Sequence, residues 1–242
     1  MKKIILISFL FLLCSIFNNK LNATNWWDCY DNWGFGCLQW DNWGVVIDQG
    51  VVLEDFPTCT LTVAYWHRKC LNPDGQEQIY VESYSFTNQQ GCAELYQYLH
   101  PGGQINVDPI RNKFVKDKIF RNISKSRFLD EKDNYPCPNK RKTFALWEGL
   151  CTSVCELEFT DGTIGYVTND CVTDYCCGII IEYCWNRQTN QLDITEQHIG
   201  DQNINCFVFP ATNCPGEGET VGGKTVSRIL SSTNCESTCV FE

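Results

Sequence analysis

The sequence predicts an all-β protein with minor helix, built as two tandem disulfide-stapled repeats of β-hairpin or β-sandwich-like form. Three observations carry that expectation: a high cysteine count behind a leader-like N-terminus, an ordered recurrence of cysteine landmarks, and period-two alternation of apolar residues in both halves.

The leader comes first because it decides how the cysteines are read. Lys2 and Lys3 precede an apolar run from Ile4 to Phe17, and a short polar stretch leads to Ala23. That is the three-part form of a secretory signal peptide, and the run is too short to span a bilayer. Cleavage after Ala23 removes Cys14 and leaves 16 of the 17 cysteines, an even number suited to full pairing in an exported protein. The expected address is therefore secreted: extracellular, periplasmic or cell-surface. Histidine occurs only at His67, His100 and His198. None is spaced near a cysteine pair as zinc ligands usually are, so neither a metal nor a cofactor is expected.

The repeat is read residue by residue. Cys59-Thr-Leu-Thr-Val-Ala-Tyr65-Trp-His-Arg68 lies over Cys177-Gly-Ile-Ile-Ile-Glu-Tyr183-Cys-Trp-Asn-Arg187, with one residue inserted. Gln78-Ile-Tyr-Val81 then lies over Gln191-Leu-Asp-Ile194. Cys92 and Cys206 follow, then Cys137-Pro138 and Cys214-Pro215, and each copy closes on a Cys-x3-Cys at Cys151/Cys155 and Cys235/Cys239. The implied organisation is a leader over 1–23, a first repeat over 24–155 and a second over 156–242. The first repeat holds a Trp-rich segment at 24–44 and a basic insertion at 109–142. Two separate domains are the favoured arrangement, and one continuous sandwich made from both copies is the alternative. Cys59 with Cys92, and Cys177 with Cys206, bracket equivalent hairpins and are the candidate disulfides.

Leu61, Val63 and Tyr65 alternate with Thr60, Thr62 and Ala64, and Ile179, Ile181 and Tyr183 repeat that face, as half-buried strands do. Asn72-Pro-Asp-Gly75 supplies a turn before a second strand carrying Ile79 and Val81, and Arg187-Gln-Thr-Asn190 does the same in the second half. Asp161-Gly162 marks another tight hairpin, with Val46-Ile-Asp48-Gln-Gly50-Val-Val as its expected counterpart. The best helix runs from Ala93 to Leu99 and stops at His100-Pro101-Gly102-Gly103.

Charge is unevenly placed. Past residue 23, 16 Lys plus Arg face 29 Asp plus Glu, yet between Arg111 and Lys142 there are 11 basic and 4 acidic residues. The plain expectation for this insertion is a solvated, partly disordered loop. The functional alternative is a docking segment, with Lys113, Lys116, Lys118 and Arg121 meeting an acidic partner or another copy of the chain. Nucleic acid is disfavoured because the rest of the protein would repel phosphate. Five of the eight tryptophans, Trp26, Trp27, Trp33, Trp40 and Trp43, fall within 24–44. They read either as core and edge cover or as an aromatic platform for sugar or protein.

The sequence has no Gly-x-Ser-x-Gly elbow, no His-Glu-x-x-His and no phosphate-binding glycine loop. The expected function is therefore non-enzymatic adhesion, recognition or extracellular assembly, with a protein or carbohydrate partner at a cell surface and no transmembrane segment in the mature chain. A secreted hydrolase acting on polysaccharide, or a small inhibitor or toxin, is the alternative.

Overall fold

Alternating apolar positions become strands wherever turn residues close them, and the first half of the chain does this twice in succession. In a computed structural model, which describes residues 36–72, 75–86, 91–171, 176–200, 206–208 and 211–240, a short β1 (Gln39–Trp40) leads into β2 (Gly44–Leu53), β3 (Phe56–Asn72) and β4 (Gln76–Phe86). These strands pair antiparallel. Gly75 closes the β3–β4 turn at φ 108°, a conformation that costs glycine little. Val46–Val52 differs from the hairpin expected of it: it runs through one strand, with a bulge between Gln49 and Val51. Gly50 takes its positive φ of 92° inside that bulge, and the actual reversal falls at Glu54 and Asp55.

After α1 (Ala93–Leu99) and a short 3-10 turn at Pro101–Gly103, the chain forms α2 (Pro109–Glu131). Where a basic loop was expected, α2 is thus a 23-residue helix, about 34 Å long at 1.5 Å per residue. Its start follows from local chemistry: the Asp108 side chain accepts from Ile110 N and Arg111 N at 3.0 and 3.1 Å, with Pro109 in the first turn. Beyond it lie β5 (Lys142–Gly149), β6 (Cys151–Phe159), β7 (Ile164–Asp170), β8 (Cys176–Asn186), β9 (Gln191–Ile199), β10 (Thr220–Val221), β11 (Lys224–Ser232) and β12 (Glu236–Ser237). The Asp161-Gly162 and Arg187–Asn190 turns close β6–β7 and β8–β9 as their residues dictate.

The strands join into one 12-stranded sheet. One edge of β4 is covered by β3; the other is shared. Gln76–Gln78 pair in parallel with β5, whereas Ser83–Phe86 pair antiparallel with β7. The sheet therefore forks along β4 into a β5-β8-β9 arm and a β7-β6-β11-β10 arm. Strands of the stretches 24–155 and 156–242 pair directly in both arms, β5 with β8 in one and β4 with β7 in the other, so backbone hydrogen bonds unite what the cysteine landmarks divided. The disulfides do likewise: Cys137–Cys184, Cys151–Cys206 and Cys155–Cys214 cross between the two stretches. Cys37–Cys70, Cys59–Cys92 and Cys171–Cys235 stay within one.

Helices α1 and α2 cover one face of the sheet. Leu95, Leu99, Val115, Ile119, Phe120, Ile123 and Phe128 pack there against Leu61, Val63, Ile79, Phe144, Leu146, Ile179 and Tyr183. Across the sheet, Tyr80, Ala145, Trp147 and Ile180 form a smaller cluster with half-buried Trp43 and Trp66. Among the described residues no helix is long and apolar enough to cross a membrane.

Candidate functional site

The fork leaves a gap in the sheet, and the residues that fill it are charged. Between Gln78 and Ser83, β4 pairs with neither β5 nor β7. Glu148 at the end of β5 and Asp170 at the end of β7 flank this gap, and α2 sends Lys113 and Lys116 into it. Lys116 pairs with Glu148, and Lys113 pairs with Asp117 one turn along the helix and lies 3.5 Å from Glu148. All four side chains are buried. Asp170 Oδ1 accepts from Gly149 N at 3.0 Å, while Asn112 links the Tyr84 hydroxyl (2.7 Å) to Thr168 (3.0 Å). Burial is the leading influence on each acid here. It pushes Asp170 up to about 7, with Lys116 opposing and Glu148 adding, and pushes Asp117 up to about 6 against the pull of Lys113. For Glu148 the burial effect is outweighed by Lys116 and Lys113, which hold its carboxyl below the usual range.

A second constellation opens to solvent. Helix α1 ends at His100, whose ring stacks on Tyr96 at 4.3 Å. Its Nδ1 lies 3.2 Å from the Gln104 carbonyl, which fixes that nitrogen as the donor. Nε2 then faces the Tyr166 hydroxyl of β7 at 3.4 Å and Glu156 of β6 at 3.5 Å. Glu156 accepts from Tyr166 at 3.3 Å and from Ser231 of β11 at 2.9 Å. Burial, reinforced by the negative charge of Glu156, raises the Tyr166 phenol well above its ordinary value. Above this network lies a cleft of about 900 Å³, rimmed by Tyr96, Gln97, Gln104, Ile105, Arg111 and Leu230.

The residues singled out from sequence are distributed differently. Of the five tryptophans, Trp26, Trp27 and Trp33 lie outside the described residues. Trp40 and Trp43 flank the Arg68 guanidinium at 4.9 and 4.6 Å, and that guanidinium donates to Gln78 at 2.6 Å. Both rings are half-buried and spend a face on this cation instead of standing in an open row.

The docking candidates are engaged within the chain. Lys113 and Lys116 are buried in the fork, out of a partner's reach; Lys118 meets Asp55 at 2.7 Å, and Arg121 grips Glu196 with bonds of 2.7 and 3.1 Å. The charge complementarity expected between this segment and an acidic surface is thus met by the molecule's own acids. Cys59 is bonded to Cys92 with Cα atoms 4.4 Å apart. Its expected counterpart is different, because Cys206 is bonded to Cys151, and Cys177 is a buried thiol. Repeat position misled here: β8 and β6 occupy different arms of the fork, and Cys206 comes to rest against β6.

Cys137, Cys184 and Asp193 bring donor atoms within 4.8 Å, but the two sulfurs are joined to each other, so this trio is no metal donor set.

Sequence reasoning missed His100, Glu156 and Tyr166, which sit on three separate elements. It also missed Glu148 and Asp170. One signal was present: Glu148 interrupts the apolar run Phe144-Ala-Leu-Trp147 and Leu150, a place where an unpaired carboxylate would be costly. No protein-family model matches this chain, and no curated protein and no solved structure matches it with significance.

Proposed function

We propose that the protein acts in an oxidising, extracellular setting as a recognition module, and that the cleft beside α1 receives carbohydrate. The cleft itself is the observation that carries this reading: about 900 Å³, open, and rimmed by an aromatic ring, two side-chain amides and a guanidinium. Tyr96 keeps one face away from His100 for stacking, and Gln97, Gln104 and Arg111 offer planar donors of the kind that hydroxyl groups accept. Six described disulfides support the compartment.

A binding role is favoured over hydrolysis because the polar floor is turned inward. Both His100 nitrogens face protein atoms, and both Glu156 oxygens accept from Tyr166 and Ser231. Such groups hold a shape; a general base must instead face the proton it removes. The hydrolase reading keeps one observation in its favour, the approach of His100 to Glu156 at 3.5 Å beneath the cleft.

The test is retention of the full chain on a panel of immobilised oligosaccharides. The combined change Tyr96→Ala and Gln97→Ala should weaken binding to any retained sugar by about tenfold or more, with little change in Tm, since each tenfold step reports about 1.4 kcal/mol of lost contact. No retained sugar, or undiminished binding by the variant, would remove the carbohydrate reading. New reducing ends released from a bound oligosaccharide would bring the hydrolase forward.

A further inference from the structure

Thirteen of the described cysteines are disulfide-bonded; the exceptions are Cys177, at the start of β8, and Cys239, beyond β12. These two are not scattered. Their side chains are hydrogen-bonded to each other, and they share a buried cluster with Leu150, Cys151 and Cys206. Gly200 marks how close they come: a Cβ there would fall 2.5 Å from Cys177 Cβ and 2.5 Å from Cys239 Sγ, so those two atoms are separated by no more than about 5 Å, within the reach of a disulfide partner.

The segment that brings Cys239 to this position is already fastened elsewhere. β12 pairs with Thr152 and Cys151 of β6, Thr238 N donates to the Leu150 carbonyl at 3.1 Å, the Thr238 and Thr152 hydroxyls are 3.0 Å apart, and Cys235 is bonded to Cys171.

We propose that Cys177 and Cys239 are a cross-linking site: in the exported protein they join as a further disulfide, which ties the C-terminal segment to β8 and so links the two arms of the forked sheet. The oxidant is a small-molecule or protein disulfide. One cysteine, as its thiolate, attacks a sulfur of that disulfide and expels one thiol. The second cysteine then attacks the resulting mixed disulfide and expels the other. Two electrons and both cysteine protons leave with the reduced oxidant, and one S–S bond forms in the chain. The partnership with Cys239 and burial together raise the Cys177 thiol well above its ordinary value, which keeps it protonated and poorly nucleophilic once folded. Chains that fold under reducing conditions retain both thiols.

The experiment uses the full chain exported through an oxidising compartment, unfolded without reductant in the presence of iodoacetamide, digested and analysed by mass spectrometry. A Cys177–Cys239 linked peptide is expected. Alkylation of both residues, or linkage of Cys177 to Cys206, would overturn the proposal. Amide hydrogen exchange provides an independent reading. In the Cys177→Ser, Cys239→Ser double variant, protection over residues 233–240 should fall by on the order of tenfold or more, while β2 and β3 stay unchanged. Equal protection in variant and wild type would show that no such tie holds the segment and would also overturn it.

Discussion

Asp170 makes the fork lose stability as pH rises from acid to neutral, and Asp170→Asn isolates the effect. Burial lifts this carboxyl from 3.8 to about 7. Between those values the folded state holds a proton that the unfolded chain has released, so stability is fully present below pH 3.8 and is lost as pH rises through about 7. At about 1.4 kcal/mol per unit the full loss is on the order of 4 kcal/mol, of which more than half falls between pH 5 and pH 8. Asparagine mimics the protonated acid: its Oδ1 still accepts from Gly149 N, and it does not titrate.

Urea unfolding without reductant, at a series of pH values, should show wild type and D170N diverging in favour of the variant by on the order of 2–3 kcal/mol from pH 5 to pH 8. Taking the difference between the two proteins cancels the other titrating groups. A difference that stays flat over that range would refute the claim that Asp170 is held protonated by the fold.

Two further perturbations bear on the same region. Lys116→Met leaves Glu148 with Lys113 alone as its buried cationic neighbour, and should cost about 3–5 kcal/mol in urea unfolding at pH 7, since breaking one side of a buried pair strands the other charge. It should also raise the Asp170 titration, because Lys116 is the group opposing that shift. Gly178→Ala places a Cβ 2.4 Å from both the Leu146 carbonyl oxygen and the Trp147 ring; backbone and a buried indole cannot both yield, so a loss of about 1–3 kcal/mol is expected by thermal unfolding.

The sequence by itself determined the β class, the β3–β4, β6–β7 and β8–β9 hairpins, helix α1, and the reach of Cys59 to Cys92 across one hairpin. These depend on local quantities: a period of two, turn residues with particular φ angles, and short loops that bring their ends together. Tertiary structure decided the rest.

Helix α2 escaped detection because its inward face mixes Val115, Ile119 and Phe120 with Lys113, Lys116 and Asp117, which blurs the apolar stripe that identifies a helix. Its capping pair Asp108-Pro109 was the one legible sign. Those lysines are tolerated inside because Glu148 arrives from β5 to meet them and Asp117 lies one turn along the same helix, and no sequence pattern records that convergence. The cross-connected disulfides share this cause. The landmarks order the cysteines along the chain, but partners are chosen by which segments the fork places side by side, and those segments are far apart in the chain. The floor of the cleft is local only in part: Glu156 and Tyr166 face each other across the β6–β7 hairpin, whereas His100 at the end of α1 and Ser231 of β11 are brought to them from distant points of the chain by folding alone.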